Sequence, residues 1–178
     1  MEHALGFLAA LSPLDEGSAL LDLGSGGGLP GLVIARARPD LRVTLLDGRT
    51  ERASQLQSAV GRLGLGEQVR VLAARAEEAA HTAERAAFDA VVARSFGPPP
   101  VTAECAAGFL RIGGRLVVSE PPEEAPAGRW PVGPLAELGL EMTTTSAERF
   151  HYAVLRAVAA CPKRYPRRTG VPRKRPLY

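Results

Sequence analysis

With 178 residues, 46% of them hydrophobic, the chain has room for one α/β domain with a sizeable core, which excludes a disordered or low-complexity polymer. Its two cysteines, Cys105 and Cys161, lie far apart and form no CxxC pair, so neither a disulfide framework nor a zinc site is expected and a reducing cytosol fits. No apolar run approaches a membrane span, and Met1 to Leu14 carries Glu2 and no basic start, so neither a membrane partner nor an export signal is expected. The net charge of +3 hides a division: fifteen of the 22 basic residues and all 19 acidic ones lie in residues 1–162, a net of −4, while seven cations occupy residues 163–178. Positive charge concentrated in this way is an electrostatic footprint for nucleic acid, although a basic tail can also serve solubility alone.

In chain order, Ala19-Leu20-Leu21 is short and apolar enough for a buried strand, and it runs into Asp22-Leu23-Gly24-Ser25-Gly26-Gly27-Gly28-Leu29-Pro30-Gly31. Glycines at alternate positions (Gly24, Gly26, Gly28) permit positive φ and close backbone approach to a ligand, and Pro30 suits the start of a helix. Strand, glycine turn and helix together predict a nucleotide-type cofactor loop; the alternative is a glycine-rich surface turn. A helix is expected over Leu29 to Arg38, then a strand Arg42 to Leu46 that delivers Asp47, 19 residues after Gly28. An acid at that distance commonly accepts the ribose hydroxyls of a nucleotide, although the following Gly48 also allows a plain turn.

Glu51 to Leu63 has helical apolar spacing and is stopped by Gly64, and Val69 to Ala73 is the third strand. Arg75-Ala76-Glu77-Glu78 follows where α/β folds place ligand contacts, and either acid could instead be a solvated first-turn residue. Phe88 to Ala93 is the fourth strand and releases Arg94-Ser95-Phe96-Gly97 and three prolines. A helix is expected over Val101 to Leu110, with Gly113-Gly114 as its exit and Arg115 to Val118 as the fifth strand. Glu120 to Pro134 is Pro/Gly-rich and expected to be irregular, and Glu141 to Thr145 and Tyr152 to Val158 should pair antiparallel. The expected fold is α/β: a doubly wound, mostly parallel seven-stranded sheet with one antiparallel edge strand. The expected organisation is a short segment 1–18, a domain 19–160 and a basic Pro-rich tail 161–178.

The dinucleotide fingerprint would require glycine at Leu29, and a P-loop would require Gly-Lys-Ser/Thr, so neither fits. What remains resembles the S-adenosylmethionine site of the Rossmann-like class I methyltransferases. More closely, Leu21 to Leu32 with Thr44-Leu45-Leu46-Asp47, Arg75-Ala76-Glu77-Glu78, Ala93-Arg94-Ser95-Phe96 and the tail Tyr165 to Leu177 resembles the bacterial GidB/RsmG family, which methylates N7 of a guanine in 16S ribosomal RNA. The resemblance covers roughly residues 19–177.

It implies S-adenosylmethionine as cofactor, with contacts at Asp22, Gly24, Ser25, Gly26, Gly28, Leu29, Asp47, Gly48, Ala76, Glu77 and Arg94. The glycines would approach the methionine part, Asp47 the ribose and Ala76-Glu77 the adenine, while Arg94 would lie near cofactor and target base as the catalytic residue. The partner implied is ribosomal RNA or the 30S subunit, met by a cytoplasmic monomer without a metal. Lys163, Arg164, Arg167, Arg168, Arg173, Lys174 and Arg175 are expected to grip phosphates from a proline-extended tail, with Tyr165 either stacking on a base or packing on the domain. Guanine N7 carries a lone pair at neutral pH, so positioning rather than a nucleophile–base pair should dominate.

Two stretches depart from the family pattern. Only residues 1–18 precede the first strand, without the family's His-x-x-Asp-Ser-Leu motif, and Ser119-Glu120-Pro121 stands where Lys-Gly is usual. The alternatives are a methyltransferase for another RNA or a small molecule, or a non-catalytic RNA- or ribosome-binding protein that retains the cofactor pocket.

Overall fold

The structure is a computed structural model that describes residues 2–121, 128–147 and 150–178. The central strand, β1 (Ala19–Leu23), is buried at every position, as a parallel strand covered on both faces must be. Beside it lie β2 (Arg42–Asp47), β3 (Val69–Ala73), β4 (Phe88–Ala93) and β5 (Leu110–Ser119). Helices α1 (Glu2–Leu11), α2 (Gly31–Ala37), α3 (Thr50–Arg62), α4 (Ala76–Ala79) and α5 (Pro99–Ala107) precede or connect them. After α6 (Val132–Glu137) come β6 (Leu140–Ala147) and β7 (His151–Ala157), and a last turn, α7 (Val171–Lys174), lies in the tail.

The strand order is β3-β2-β1-β4-β5-β7-β6. β1 to β5 are mutually parallel and β7 runs antiparallel to both its neighbours, so the expected antiparallel pair closes one edge, with β6 outermost and β7 the reversed strand. Two apolar layers sandwich the sheet. One gathers α1, α2 and α3 through Phe7, Leu11, Ile34, Leu56 and Val60, and the other gathers α4, α5 and α6 through Ala79, Ala103, Ala106 and Leu135. No helix among the described residues is long and apolar enough to cross a membrane.

Two boundaries differ from expectation. α5 ends at Ala107 and β5 already begins at Leu110, so Gly113 and Gly114 lie inside a strand. The register of β4 against β5 shifts there, and a Cβ at Gly114 would press on the main-chain oxygens of Arg111, Phe88 and Asp89. A bulged strand with close backbone approach uses glycine as readily as a helix exit does. α6 begins within the expected irregular stretch, whose middle, residues 122–127, lies outside the described residues.

The tail is the main correction. It does not project as an extended arm but folds back as a strap across α4 and α5. Tyr165 is buried and its hydroxyl donates to Glu137, so it packs on the domain, and Pro172 is buried as well. Arg85 donates to the carbonyls of Cys161, Pro162 and Tyr165, and the ring of His81 bonds to that of Pro166. Glu104 on α5 is wholly buried and receives both the Arg167 guanidinium and the Arg167 N–H. A buried carboxylate without that partner would carry a large desolvation cost, so Arg167 is held by the fold rather than free for phosphate.

Candidate active site

The chain leaves β1 toward β2 on one side and reaches β4 on the other, so the carboxyl end of β1 is the topological switch point where an open α/β sheet forms its crevice. The glycine turn sits there. Gly24, Gly26 and Gly28 all have positive φ, at 71°, 53° and 91°. Its main chain is tied to β2: Ser25 N–H donates to the Leu46 carbonyl at 2.9 Å and Gly26 N–H to Asp47 Oδ2 at 3.0 Å.

Asp22 lies beneath the turn. Its Oδ2 accepts the Gly31 N–H at 2.9 Å, so it holds the first residue of α2 while Ser25 Oγ donates to its main-chain carbonyl. Burial pushes the Asp22 carboxyl up to about 7, against the opposing pull of the Gly31 hydrogen bond. Gly31 is required at that junction because a Cβ would meet the Asp22 side chain and Leu45. Asp22 and Ser25, expected at the cofactor, are therefore internal braces of the loop, and Leu29 is 45% exposed on its outer side.

Two cavities open on either side of Phe96. The first is lined by Gly24, Asp47, Gly48, Ala76 and Glu77, which the sequence reading placed together. It is also lined by Phe96, Val101, Cys105 and Arg173, which that reading did not. Asp47 is 5% exposed; besides Gly26 N–H it accepts the Arg49 N–H at Oδ1, and Arg52 stands 3.9 Å from Oδ2. Glu77 and Glu78 divide as the two alternatives allowed. Glu77 is buried at the cavity wall with Arg75 3.9 Å away, whereas Glu78 is exposed. Burial, then Glu77 and Glu104, push the Cys105 thiol upward, making it an apolar wall rather than a nucleophile.

The second cavity is lined by Arg94, Ser95, Phe96, Val118, Ser119, Glu120, Arg129, Trp130 and His3. Arg94 is exposed, and the next residue, Ser95, takes a positive φ of 54°. The positive charge of Arg94 is felt at His3 and Tyr152, and burial followed by Arg94 lowers the His3 pKa. Glu120 faces inward: its carboxylate accepts Arg129 Nε at 2.5 Å and Trp130 Nε1 at 2.8 Å. The departure at Ser119-Glu120-Pro121 thus organises this wall with partners from beyond residue 127. Phe96 divides the two cavities by lying over Gly24, where a Cβ would come within 2.5 Å of the ring.

A family model described as rRNA small subunit methyltransferase G, GidB, matches residues 1–121. The chain belongs to the GidB family. Among curated relatives, ribosomal RNA small subunit methyltransferase G of Pelotomaculum thermopropionicum is 34% identical over 187 residues, covering 99% of this chain and 78% of that protein. Its counterpart in Deinococcus radiodurans is 37% identical over 188 residues, covering 100% of this chain and 74% of the relative. As a GidB-family member the chain is an S-adenosylmethionine-dependent methyltransferase of 16S ribosomal RNA.

Solved structures give the same fold. A geranyl diphosphate methyltransferase in complex with SAM has a TM-score of 0.69 at 17% identity, covering 88% of this chain and 85% of that one. A SAM-dependent methyltransferase from Aquifex aeolicus has 0.65 at 18%, covering 88% and 89%.

His3 lines the second cavity and was missed by sequence reasoning. In His3-Ala4-Leu5-Gly6-Phe7-Leu8 the first and last residues of the family motif survive, with Gly6 and Phe7 in place of Asp and Ser. Gly6 is enforced locally, since a Cβ would collide with the Tyr152 hydroxyl, which donates to the His3 carbonyl. The signal was present but carried by half of the motif.

Proposed function

We propose that this chain transfers a methyl group from S-adenosylmethionine to N7 of a guanine in 16S rRNA, acting in the cytoplasm as a monomer without a metal. The observation that carries this reading is the pair of cavities meeting at Phe96 over Gly24. One is lined by buried acids suited to the hydroxyls and amines of a nucleoside, and the other by an exposed arginine, with the Glu120 carboxylate already engaged by Arg129 and Trp130.

The residues present fit the cofactor. Asp47 is fixed by two main-chain N–H donors with lone pairs left for ribose hydroxyls, and Glu77 with the Ala76 backbone supplies polar edges for adenine. Gly24 and Gly48 line the cavity and let the ligand approach the backbone, while Gly26 and Gly28 shape the turn behind it, with Asp22 and Ser25 supporting it from below. Bound there, S-adenosylmethionine supplies an electrophilic methyl group on a sulfonium.

On the other side, Arg94 offers guanidinium donors that match the acceptor edge of guanine at O6. Holding the base so that N7 faces the divide at Phe96 would lower the barrier by orientation, and because N7 brings its own lone pair to the methyl group, no proton would have to be removed by the chain. Lys163, Arg164, Arg168, Lys174 and Arg175 are exposed on the strap and available to phosphate, whereas Arg167 is not.

The test is methyl transfer from labelled cofactor to undermethylated 30S subunits and to naked 16S rRNA, with the modified base mapped. A single N7-methylguanine in 16S rRNA is expected. Tight cofactor binding without transfer to either RNA would overturn the reading in favour of a non-catalytic binding protein.

A further inference from the structure

Arg173 stands far from the rest of the cofactor cavity in sequence, yet it lines that cavity. Three anchors hold it there. Gly170 N–H donates to Glu77 Oε1 at 2.9 Å and the Thr169 hydroxyl to Glu78 Oε1 at 2.9 Å, pinning the strap to α4. Arg167 is locked onto Glu104 of α5 at 2.6 Å. That helix turns Val101 and Cys105, one turn apart, to the cavity while Glu104 takes the strap.

Glu77 is therefore shared. One carboxylate lines the cavity and accepts the strap's backbone at the same time, so the position of the strap and the shape of the cavity cannot vary independently.

We propose that the C-terminal strap is a wall of the cofactor cavity, with the Arg173 guanidinium contacting the adenosyl end of S-adenosylmethionine, so that strap docking and cofactor binding reinforce each other. The proposal rests on the assignment of this cavity to the cofactor. The chemistry favours the adenosyl end. A guanidinium has donors only, in a planar fork that suits the ring nitrogens and flat face of a purine, and it is badly matched to the positive sulfonium. Arg173 is exposed as well as lining the cavity, so it lies at the mouth. Coupling of this kind is reciprocal: whatever the docked strap adds to cofactor affinity, the cofactor adds to docking.

The experiment is calorimetric titration of S-adenosylhomocysteine into the full chain and into Arg173→Ala and Asp47→Ala, together with tryptic release of the tail with and without saturating S-adenosylhomocysteine. Arg173→Ala should weaken binding on the order of tenfold, the size of one charge-assisted contact. The ligand should slow release of the tail from the wild-type chain by a similar factor and protect Arg173→Ala much less. If Asp47→Ala weakens binding while Arg173→Ala does not, the cavity assignment stands and the strap proposal falls. If neither variant changes affinity, the cavity assignment fails and takes the proposal with it. If Arg173→Ala lowers affinity for rRNA alone, the residue is a phosphate contact and the proposal is overturned.

Discussion

The two cavities are built in opposite ways. Around the cavity proposed for the cofactor most of the wall comes from the ends of successive parallel strands, and the buried Asp47 is held by two main-chain donors, one from the glycine turn after β1 and one two residues along its own chain. Around the cavity proposed for the target base the wall is drawn from α1, the β4–α5 loop, the end of β5 and the residues before α6, and Arg94 in it is exposed. The first surface is preformed by the fold, as suits a ligand that is the same in every turnover. The second is assembled from distant segments, as suits one face of a large RNA.

The largest expected effect breaks the preformed side. Asp47→Ala removes an acceptor for Gly26 and Arg49 N–H and the expected partner of the ribose. Cofactor affinity should fall about a hundredfold, from the loss of charge-assisted hydrogen bonds of about 1.5–3 kcal/mol each, and the thermal midpoint should fall because two donors are left unpaired. Calorimetry with S-adenosylhomocysteine and a melting curve read the two effects. Unchanged affinity would mean that the buried acid serves the turn alone.

A smaller and differently distributed effect is expected opposite. Arg94→Ala should lower the methyl-transfer rate about ten- to a hundredfold, the scale of one lost orienting contact, and leave cofactor affinity and melting temperature near wild type. The split is the informative part: a parallel loss of cofactor affinity would place Arg94 on the cofactor side of Phe96 and erase the division between the cavities.

The same contrast explains what was legible in the sequence. The sheet followed from short apolar runs at α/β spacing, and the wall proposed for the cofactor from strand ends, because the residue after a parallel strand is placed by the strand itself. Asp47, Gly48, Ala76 and Glu77 are all of this kind. Asp22 looked like a ligand residue and is a brace, since spacing cannot say whether a buried carboxylate turns toward the crevice or toward the Gly31 N–H.

The strap was misjudged for a related reason. Prolines and cations suggest an extended polyelectrolyte, and only a buried acid on another element, Glu104, reveals that one of those cations belongs to the core. Arg129 and Arg173 reach their cavities through tertiary contacts with no local signature, and His3 does so with a signature only half kept.

The last effect is on stability rather than on binding or transfer, and it concerns the brace. Burial pushes the Asp22 carboxyl from its ordinary 3.8 up to about 7, so between those values the folded chain holds a proton that the unfolded chain has released. The stability this contributes is fully present below about pH 3.8 and is lost as pH rises through 7. Asp22→Asn keeps an oxygen that can accept the Gly31 N–H and has no charge to bury. Relative to wild type the variant should therefore gain stability progressively from pH 4 to pH 8 and level off beyond it, while cofactor affinity, read in parallel, stays near wild type because Asp22 supports the loop rather than lining the cavity. Urea unfolding across that range checks the first part. Stability curves that run parallel throughout would show that Asp22 ionises in the folded chain as it does in the unfolded one, and a loss of affinity in the variant would return Asp22 to the cofactor contacts from which its Gly31 hydrogen bond removes it.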